Sequence, residues 1–336
     1  MSISQDSRYA YAVGRIRVLE NKLLDKTKMQ RLQNAKSVDE ALLVLSETDY
    51  ADLVAKAPNP YDIDAITTEE IKRVYLLIRE LLPKEALADL FLIKYDIHNL
   101  KVLLKAHYQK KDFDYLLVDA GLVPAETIKS VLKNDQLPSI PKEYYEGVKA
   151  AKAAYEERQD PKVIDEVLDR TQTAMVADMA SKGGHEFYRR LLAAQVDLVN
   201  LKSLARVKRL GRGRAFLDDS LLPGGTLAPS FFTPLYGSDW AQLVQAFSLT
   251  PYKAVVEQGV AAYLESGQLT TLEKLADNFQ MTMLREAKMF ALGPEPIIAY
   301  VMAKENEVRN IRIIMIGKKN GVATAEIAER LRESYV

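Results

Sequence analysis

Asp96-Ile97-His98-Asn99-Leu100-Lys101, Asp197-Leu198-Val199-Asn200-Leu201-Lys202 and Glu307-Val308-Arg309-Asn310-Ile311-Arg312 are three versions of one six-residue pattern. Each reads acid, two variable positions, asparagine, branched aliphatic, base. The asparagines stand 101 and then 110 residues apart in a chain of 336. On a helix, residues i and i+3 share a face while i+5 lies on the far side. Each acid therefore shares a face with its asparagine, and the basic residue points elsewhere. An asparagine buried on such a face is tolerated only when its polar atoms are bonded. The pattern thus reads as a polar staple written once per structural unit, with Asp96, Asn99, Asp197, Asn200, Glu307 and Asn310 as its members. The competing reading is three equivalent contact points facing one axis.

Around these motifs the apolar period is helical. Ile16, Leu19, Leu23 and Leu24 fall at helical spacing among Arg15, Arg17, Glu20 and Lys22. Ser37 with Glu40 three residues on predicts a capping box ahead of Ala41 to Leu45. Thr67-Thr68-Glu69-Glu70 is expected to lead into a helix through Leu82 that Pro83 stops. Asn320-Gly321 reads as a helix C-terminus and Thr324 as a partial N-cap. Alternating strand patterns are nearly absent, so the expected class is all-α.

Other segments repeat as well. Ile164 to Gln172 resembles Leu272 to Gln280, and Ser46-Glu47-Thr48-Asp49-Tyr50 resembles Ser248-Leu249-Thr250-Pro251-Tyr252. A glycine-led turn follows each motif, at Gly121, Gly225 and Gly321. The stretches rich in loop-formers at 138–141 and 233–237 place breaks that give three homologous helical domains, 1–137, 138–236 and 237–336. A repeat of this length exceeds the roughly 20–50 residues of solenoid repeats, so each unit holds its own small core.

Composition narrows the function. Lys+Arg and Asp+Glu both number 46, so net charge argues for neither nucleic acid nor an anionic membrane. The chain has no cysteine, which removes disulfides, thiolate metal sites and thiol nucleophiles. Its start is polar, without the apolar core of a signal peptide, and no apolar run approaches the roughly 18–20 residues of a spanning helix. Any membrane role is expected to be peripheral.

Candidate chemistry is sparse. The three histidines are His98, His107 and His185, and His98 occupies a variable slot of the motif. No metal-ligand spacing, nucleophile motif or phosphate-binding loop occurs, and Gly317-Lys318-Lys319 lacks the upstream glycine and following hydroxyl of such a loop. No catalytic residue, cofactor or metal is therefore expected. The basic run that includes Lys202, Arg206, Lys208 and Arg209 and continues to Arg212 and Arg214 could contact phosphates or an acidic partner. It lacks stacking aromatics, and a solvated helix end is the simpler reading.

The sequence as a whole resembles the C subunit of the archaeal and bacterial V-type (A-type) ATPase/ATP synthase, the family related to the eukaryotic V-ATPase d subunit. The resemblance runs over essentially the whole chain. It is carried by Tyr9-Ala-Tyr11-Ala-Val-Gly-Arg15-Ile-Arg17, by Leu45 to Tyr50, and by Asn310 to Ile314, Gly321, Glu329 to Arg332 and Tyr335-Val336. The three asparagine motifs match that family's internal repeat. The resemblance implies three similar helical domains around a pseudo-threefold axis, forming a funnel. It also implies a non-catalytic, peripheral socket on the cytoplasmic face, monomeric within a hetero-oligomer. Its partners would be the central-shaft subunits and the membrane rotor ring, with no nucleic acid. The alternative is a helical adaptor that uses the basic run to contact anionic lipid or nucleic acid.

Overall fold

The computed structural model describes residues 7–82, 87–134 and 139–336. Among these residues the chain is helical throughout, with no strand, so the all-α expectation holds. The helices run α1 (Ala10–Glu20), α2 (Lys26–Asn34), α3 (Val38–Ser46), α4 (Ala51–Lys56) and α5 (Ile63–Leu81). There follow α6 (Leu87–Gln109), α7 (Ala125–Lys133), α8 (Lys142–Arg158), α9 (Lys162–Lys182), α10 (Glu186–Leu210), α11 (Arg214–Ser220) and α12 (Pro229–Phe232). The last five are α13 (Trp240–Ala246), α14 (Lys253–Ser266), α15 (Thr270–Arg285), α16 (Glu295–Lys319) and α17 (Thr324–Arg330).

The chain divides into two compact units. One is Lys84–Tyr236; the other combines Met1–Pro83 with Gly237–Val336. In the first, the long motif helix α6 packs on α9, which forms a hairpin with α8. In the second, the long motif helix α16 packs on α5 and α1 and also meets α2, α3, α15 and α17. Residues from both ends of the chain therefore share one core, with Ile16, Leu45, Ile78, Ile298 and Ile311 fully buried in it.

Local signals explain most boundaries. Ser37 caps α3 by accepting from Glu40 N–H, but the Glu40 carboxylate accepts from Lys36 N–H, so the capping box is displaced by one residue. Gly321 sits at φ +67°, and Val322 N–H reaches back to Gly317 C=O, the Schellman closure expected at Asn320-Gly321. Three expectations need correction. Leu23 and Leu24 do not continue the helix of Ile16 and Leu19, because α1 ends at Glu20. Helix α5 starts at Ile63, four residues before Thr67, because Asp62 accepts from Ala65 N–H and supplies the earlier cap. Thr324 is the first helical residue of α17, not its cap, since Ala323 holds the capping position. The expected stop at Pro83, the Pro138 end of the 138–141 break and the first six residues of the polar start lie outside the described residues.

Candidate functional site

The three motifs fall in the middle of α6, α10 and α16, and their acid and asparagine side chains are all buried. Each asparagine bonds the backbone of a single residue downstream through both of its polar atoms. Asn99 donates to Val118 C=O at 2.8 Å and accepts from Val118 N–H at 2.9 Å. Asn200 does the same with Leu222, both at 2.8 Å, and Asn310 with Arg332, at 2.9 and 3.0 Å. The residue before each partner is a leucine in extended conformation, Leu117, Leu221 or Leu331, that ends a short helical turn. The amide side chain acts as one rung of a β-ladder for a segment with no neighbouring strand. Leaving such a half-buried backbone pair unbonded would cost up to about 1–3 kcal/mol per group.

The acids hold a second backbone segment. Asp96 accepts from Leu122 N–H at 2.9 Å, Val123 N–H at 3.2 Å and the Tyr144 hydroxyl at 2.7 Å. Asp197 accepts from Thr226 and Leu227 N–H at 3.0 and 2.9 Å. Burial, and then the Asp96 charge, push the Tyr144 hydroxyl far above the ordinary tyrosine value. The glycines ahead of these turns are forced by the approach. A Cβ on Gly121 would lie 1.9 Å from Asp96 Oδ1, and one on Gly225 2.0 Å from Asp197 Oδ1. Gly321 does not belong with them, because no atom approaches its position within 4 Å and its role is the cap of α16.

The third acid finds its partners in the opening part of the chain. Glu307 Oε2 accepts from Leu24 N–H in a very short bond, and Oε1 accepts from the Tyr50 hydroxyl at 2.8 Å. No glycine precedes Leu24; the residue there is Leu23. Tyr50 plays for Glu307 the part Tyr144 plays for Asp96. The segment 22–50 thus completes the unit built on α16.

The third staple carries a buried ion cluster. Lys304, 1% exposed, places its Nζ 2.8 Å from Glu307 Oε1 and 2.9 Å from Glu70 Oε1. Ile93 and Ala194 hold the corresponding slots, three residues before Asp96 and Asp197. Arg73 meets the other Glu70 oxygen at 2.7 Å, and the ammonium also lies 5.0 Å from the centre of the Tyr50 ring. Both Glu70 contacts are ion pairs outside hydrogen-bond geometry. Burial by itself would lower the Lys304 value, but Glu307 and Glu70 hold it above 10.5. Burial raises the Glu70 carboxyl against the pull of Lys304 and Arg73. Burial, then Glu307 and Glu70, lift Tyr50 well above its ordinary range. Burial also pushes Tyr300 up to about 12, with Lys304 opposing.

A strongly perturbed lysine between carboxylates is the signature of many active sites. Here it has no access. The void beside Glu307, lined by Leu24, Ala303 and Tyr335, measures about 10 Å³, room for a single water. No group of three or more histidine or carboxylate side chains among the described residues could hold a metal ion.

The motif bases leave on the far side, as the helical spacing requires. Lys101 pairs with Asp169 of α9 at 2.6 Å, and Arg312 bonds Thr67 Oγ1 of α5 at 2.7 Å and meets Asp64 at 3.1 Å. In the basic run, Lys202 and Lys208 are half-buried and Arg206 and Arg209 exposed. Lys208 donates to Leu235 and Tyr236 C=O at 3.1 and 2.9 Å. With Gly211 capping α10 at φ +60°, Lys208 and Arg209 occupy its last turn, where cations offset the helix dipole. Sequence reading missed Lys304, Glu70 and Tyr144. A charge in a slot that is apolar in the other two copies was the available signal for Lys304.

A helical protein whose repeated polar residues are occupied by its own backbone, and whose buried ion cluster around Lys304 is sealed, is a structural body. The chain belongs to the ATP synthase (C/AC39) subunit family, whose pattern matches residues 12–330. It is 24% identical to the C subunit of the V-type sodium ATPase of Enterococcus hirae, over 95% of this chain and 97% of that one. It is 26% identical to the C subunit of the A-type ATP synthase of Methanocaldococcus jannaschii, over 96% of this chain and 86% of the relative. A third relative, the corresponding A-type ATP synthase protein of Methanosarcina acetivorans, is also 26% identical, over 97% and 93%. The protein is therefore a non-catalytic subunit of a rotary ATPase complex. None of its helices, among the described residues, is long and apolar enough to cross a membrane.

Proposed function

We propose that this chain is the socket of a rotary motor's central stalk. It joins the central-shaft subunits to the membrane rotor ring and passes torque between ATP turnover and proton or sodium transport. It works as a single copy in a hetero-oligomer, peripheral to the membrane on its cytoplasmic face. Its three repeats, 1–137, 138–236 and 237–336, stand around a pseudo-threefold axis as a funnel. The observation that carries this reading is the family match over nearly the whole chain, together with relatives named as subunits of V-type and A-type machines. The staples supply a physical reason, because a torque-bearing part must be stiff. Each motif fixes two loop segments to a long helix through four or more hydrogen bonds where such loops would otherwise move freely.

The contacts to shaft and ring are polar and adaptable on this reading, which suits reversible assembly and predicts weakening with salt. The adaptor alternative is less well supported, since Lys208 is engaged with the chain's own carbonyls and Arg214 pairs with Asp218 at 3.4 Å. The test is reconstitution of the membrane sector and ATPase head in vesicles with and without this chain. ATP hydrolysis by the head should persist without it, while ATP-driven ion uptake should vanish and return on adding it back. Uptake that is equal in its absence refutes the proposal. Binding of the isolated chain to anionic vesicles or nucleic acid, with none to shaft or ring, would favour the adaptor.

A further inference from the structure

Among the described residues, four helix interiors contain a glycine, and a neighbouring helix explains three of them. A Cβ on Gly147 of α8 would lie 2.9 Å from the Thr171 side chain of α9. One on Gly259 of α14 would lie 2.9 Å from Leu272 Cα of α15, and one on Gly317 of α16 2.8 Å from the Ile327 side chain of α17. All three glycines are buried, and each lets a second helix come closer than any side chain would allow. Gly14 of α1 differs. It is exposed, nothing lies within 4 Å of the place its Cβ would take, and its backbone is outside the left-handed region. Alanine would fit there, and glycine weakens a helix interior through the backbone freedom lost on folding. The chain's own packing supplies no reason for this glycine.

The residues around Gly14 point outward as well. Tyr11 stands three residues before it and Val18 four after, so the three share one face. Tyr11 is 71% exposed and Val18 62%. Arg15, four residues after Tyr11 and three before Val18, flanks them; it is exposed and pairs with no acid among the described residues. The other side of the helix is taken up internally. Arg17 donates to Ala287 and Phe290 C=O at 3.0 and 2.7 Å and pairs with Glu20 at 2.8 Å. Glu20 is buried, and it is the sole carboxylate between residues 7 and 22. The exposed face of α1 therefore combines apolar surface with positive charge and carries no acid.

We infer that this face seats an acid-bearing helix of a partner subunit. That helix presses a branched side chain onto Gly14, covers Tyr11 and Val18, and sets a carboxylate against Arg15. A helix is the occupant because each of the other three interior glycines is met by a helix, through Thr171, Leu272 or Ile327. The carboxylate follows from the charge of the face, since opposite charges across an interface select the partner and fix its orientation. The inference rests on the reading that the chain works inside a multi-subunit complex, and it names the surface that one of those subunits grips.

The test measures binding of the full chain to the purified shaft subunits and to the purified ring in lipid nanodiscs. Gly14→Ala and Gly14→Leu should melt no lower than the wild type, because the added atoms enter open space. Against one of the two partners, Gly14→Ala should bind about tenfold more weakly and Gly14→Leu more weakly still, as expected for overfilling a close contact. Arg15→Glu should weaken binding to that same partner, by a factor that shrinks as salt rises. A glycine serving the fold alone would not lose affinity while stability is kept or gained. Variants that bind both partners as the wild type does overturn the inference and leave the rotor reading standing. A wild-type chain that binds neither partner overturns both. A photo-crosslinking phenylalanine analogue at Val18 in the assembled complex then reports the occupant. Crosslinks to a helical, acid-bearing segment of a shaft or ring subunit support the site. Crosslinks to lipid, to a second copy of this chain or within this chain alone overturn it.

Discussion

Replacing Lys304 with methionine removes a cation fully enclosed between two buried carboxylates. The side chain is 1% exposed and touches Glu70 and Glu307 at 2.9 and 2.8 Å. Breaking a buried ion pair by deleting one partner costs about 3–5 kcal/mol. Some compensation remains, since Arg73 still reaches Glu70 and the Tyr50 hydroxyl and Leu24 N–H still serve Glu307. For a unit of about 150–250 residues, 1 kcal/mol shifts the midpoint by about 2–4 °C, so the expected drop is about 6–20 °C.

The pH dependence has a definite sign. Lys304 is raised in the folded state, so its contribution is full below 10.5 and is lost as pH rises through its higher folded value. Glu70 is raised too, so its ionised form is a cost above 4.5 that Lys304 offsets. The Lys304→Met variant should therefore be most damaged at neutral pH and recover toward acid, as Glu70 takes up a proton. Native-state hydrogen exchange should show lost protection around Leu24, Tyr50 and Glu307, with 87–134 unchanged. Adding Glu70→Leu should recover most of the loss, because an apolar pair fills the site without charge. A penalty below about 0.5 kcal/mol, the size of an ordinary surface change, or a loss that grows toward acid, would refute the reasoning.

Other consequences can be measured in the same way. Asn310→Ala strands both the N–H and C=O of Arg332 and should cost about 2–4 kcal/mol in chemical denaturation, with 331–336 exchanging fastest. Gly121→Ala drives a methyl into Asp96 Oδ1 and should cost about 1–3 kcal/mol, whereas Gly14→Ala, with nothing within 4 Å on α1, should stabilise by about 0.5–1 kcal/mol in the same assay. Tyr300 is held at about 12 and Tyr50 well above 10.0, so both contribute stability that is full below pH 10.0 and lost as pH rises through their folded values. Tyrosinate absorbance from these two should appear together with unfolding in an alkaline titration, and appearance before any unfolding would contradict their burial.

Much of the fold is legible in the chain because helices declare themselves locally. Ser37 gives the start of α3 and Asn320-Gly321 the end of α16, each from interactions within a few residues, whereas the apolar spacing from Ile16 to Leu24 runs past α1, which ends at Glu20. The repeated acid and asparagine were readable as bonded groups on one helix face, since a polar residue recurring in an apolar stripe has to be satisfied. The repeat Ser46 to Tyr50 and Ser248 to Tyr252 was legible too. Thr48 and Thr250 each accept from the tyrosine N–H two residues on and donate three residues back. Where sequence spacing misled, it did so through a longer-range partner. Gly321 also follows its motif, though only 11 residues after Asn310 against 22 and 25 for the other two glycines, and the turn that serves Glu307 is 283 residues earlier, at Leu24.

The sequence by itself determined the helical class and the threefold recurrence of the motif, because periodicity, capping and motif spacing are short-range properties of the chain. Tertiary structure alone decided which backbone each staple holds and that Lys304 and Glu70 meet. Those are contacts between segments from tens to hundreds of residues apart. Their energies depend on distances of a few ångströms, which no spacing along the chain encodes.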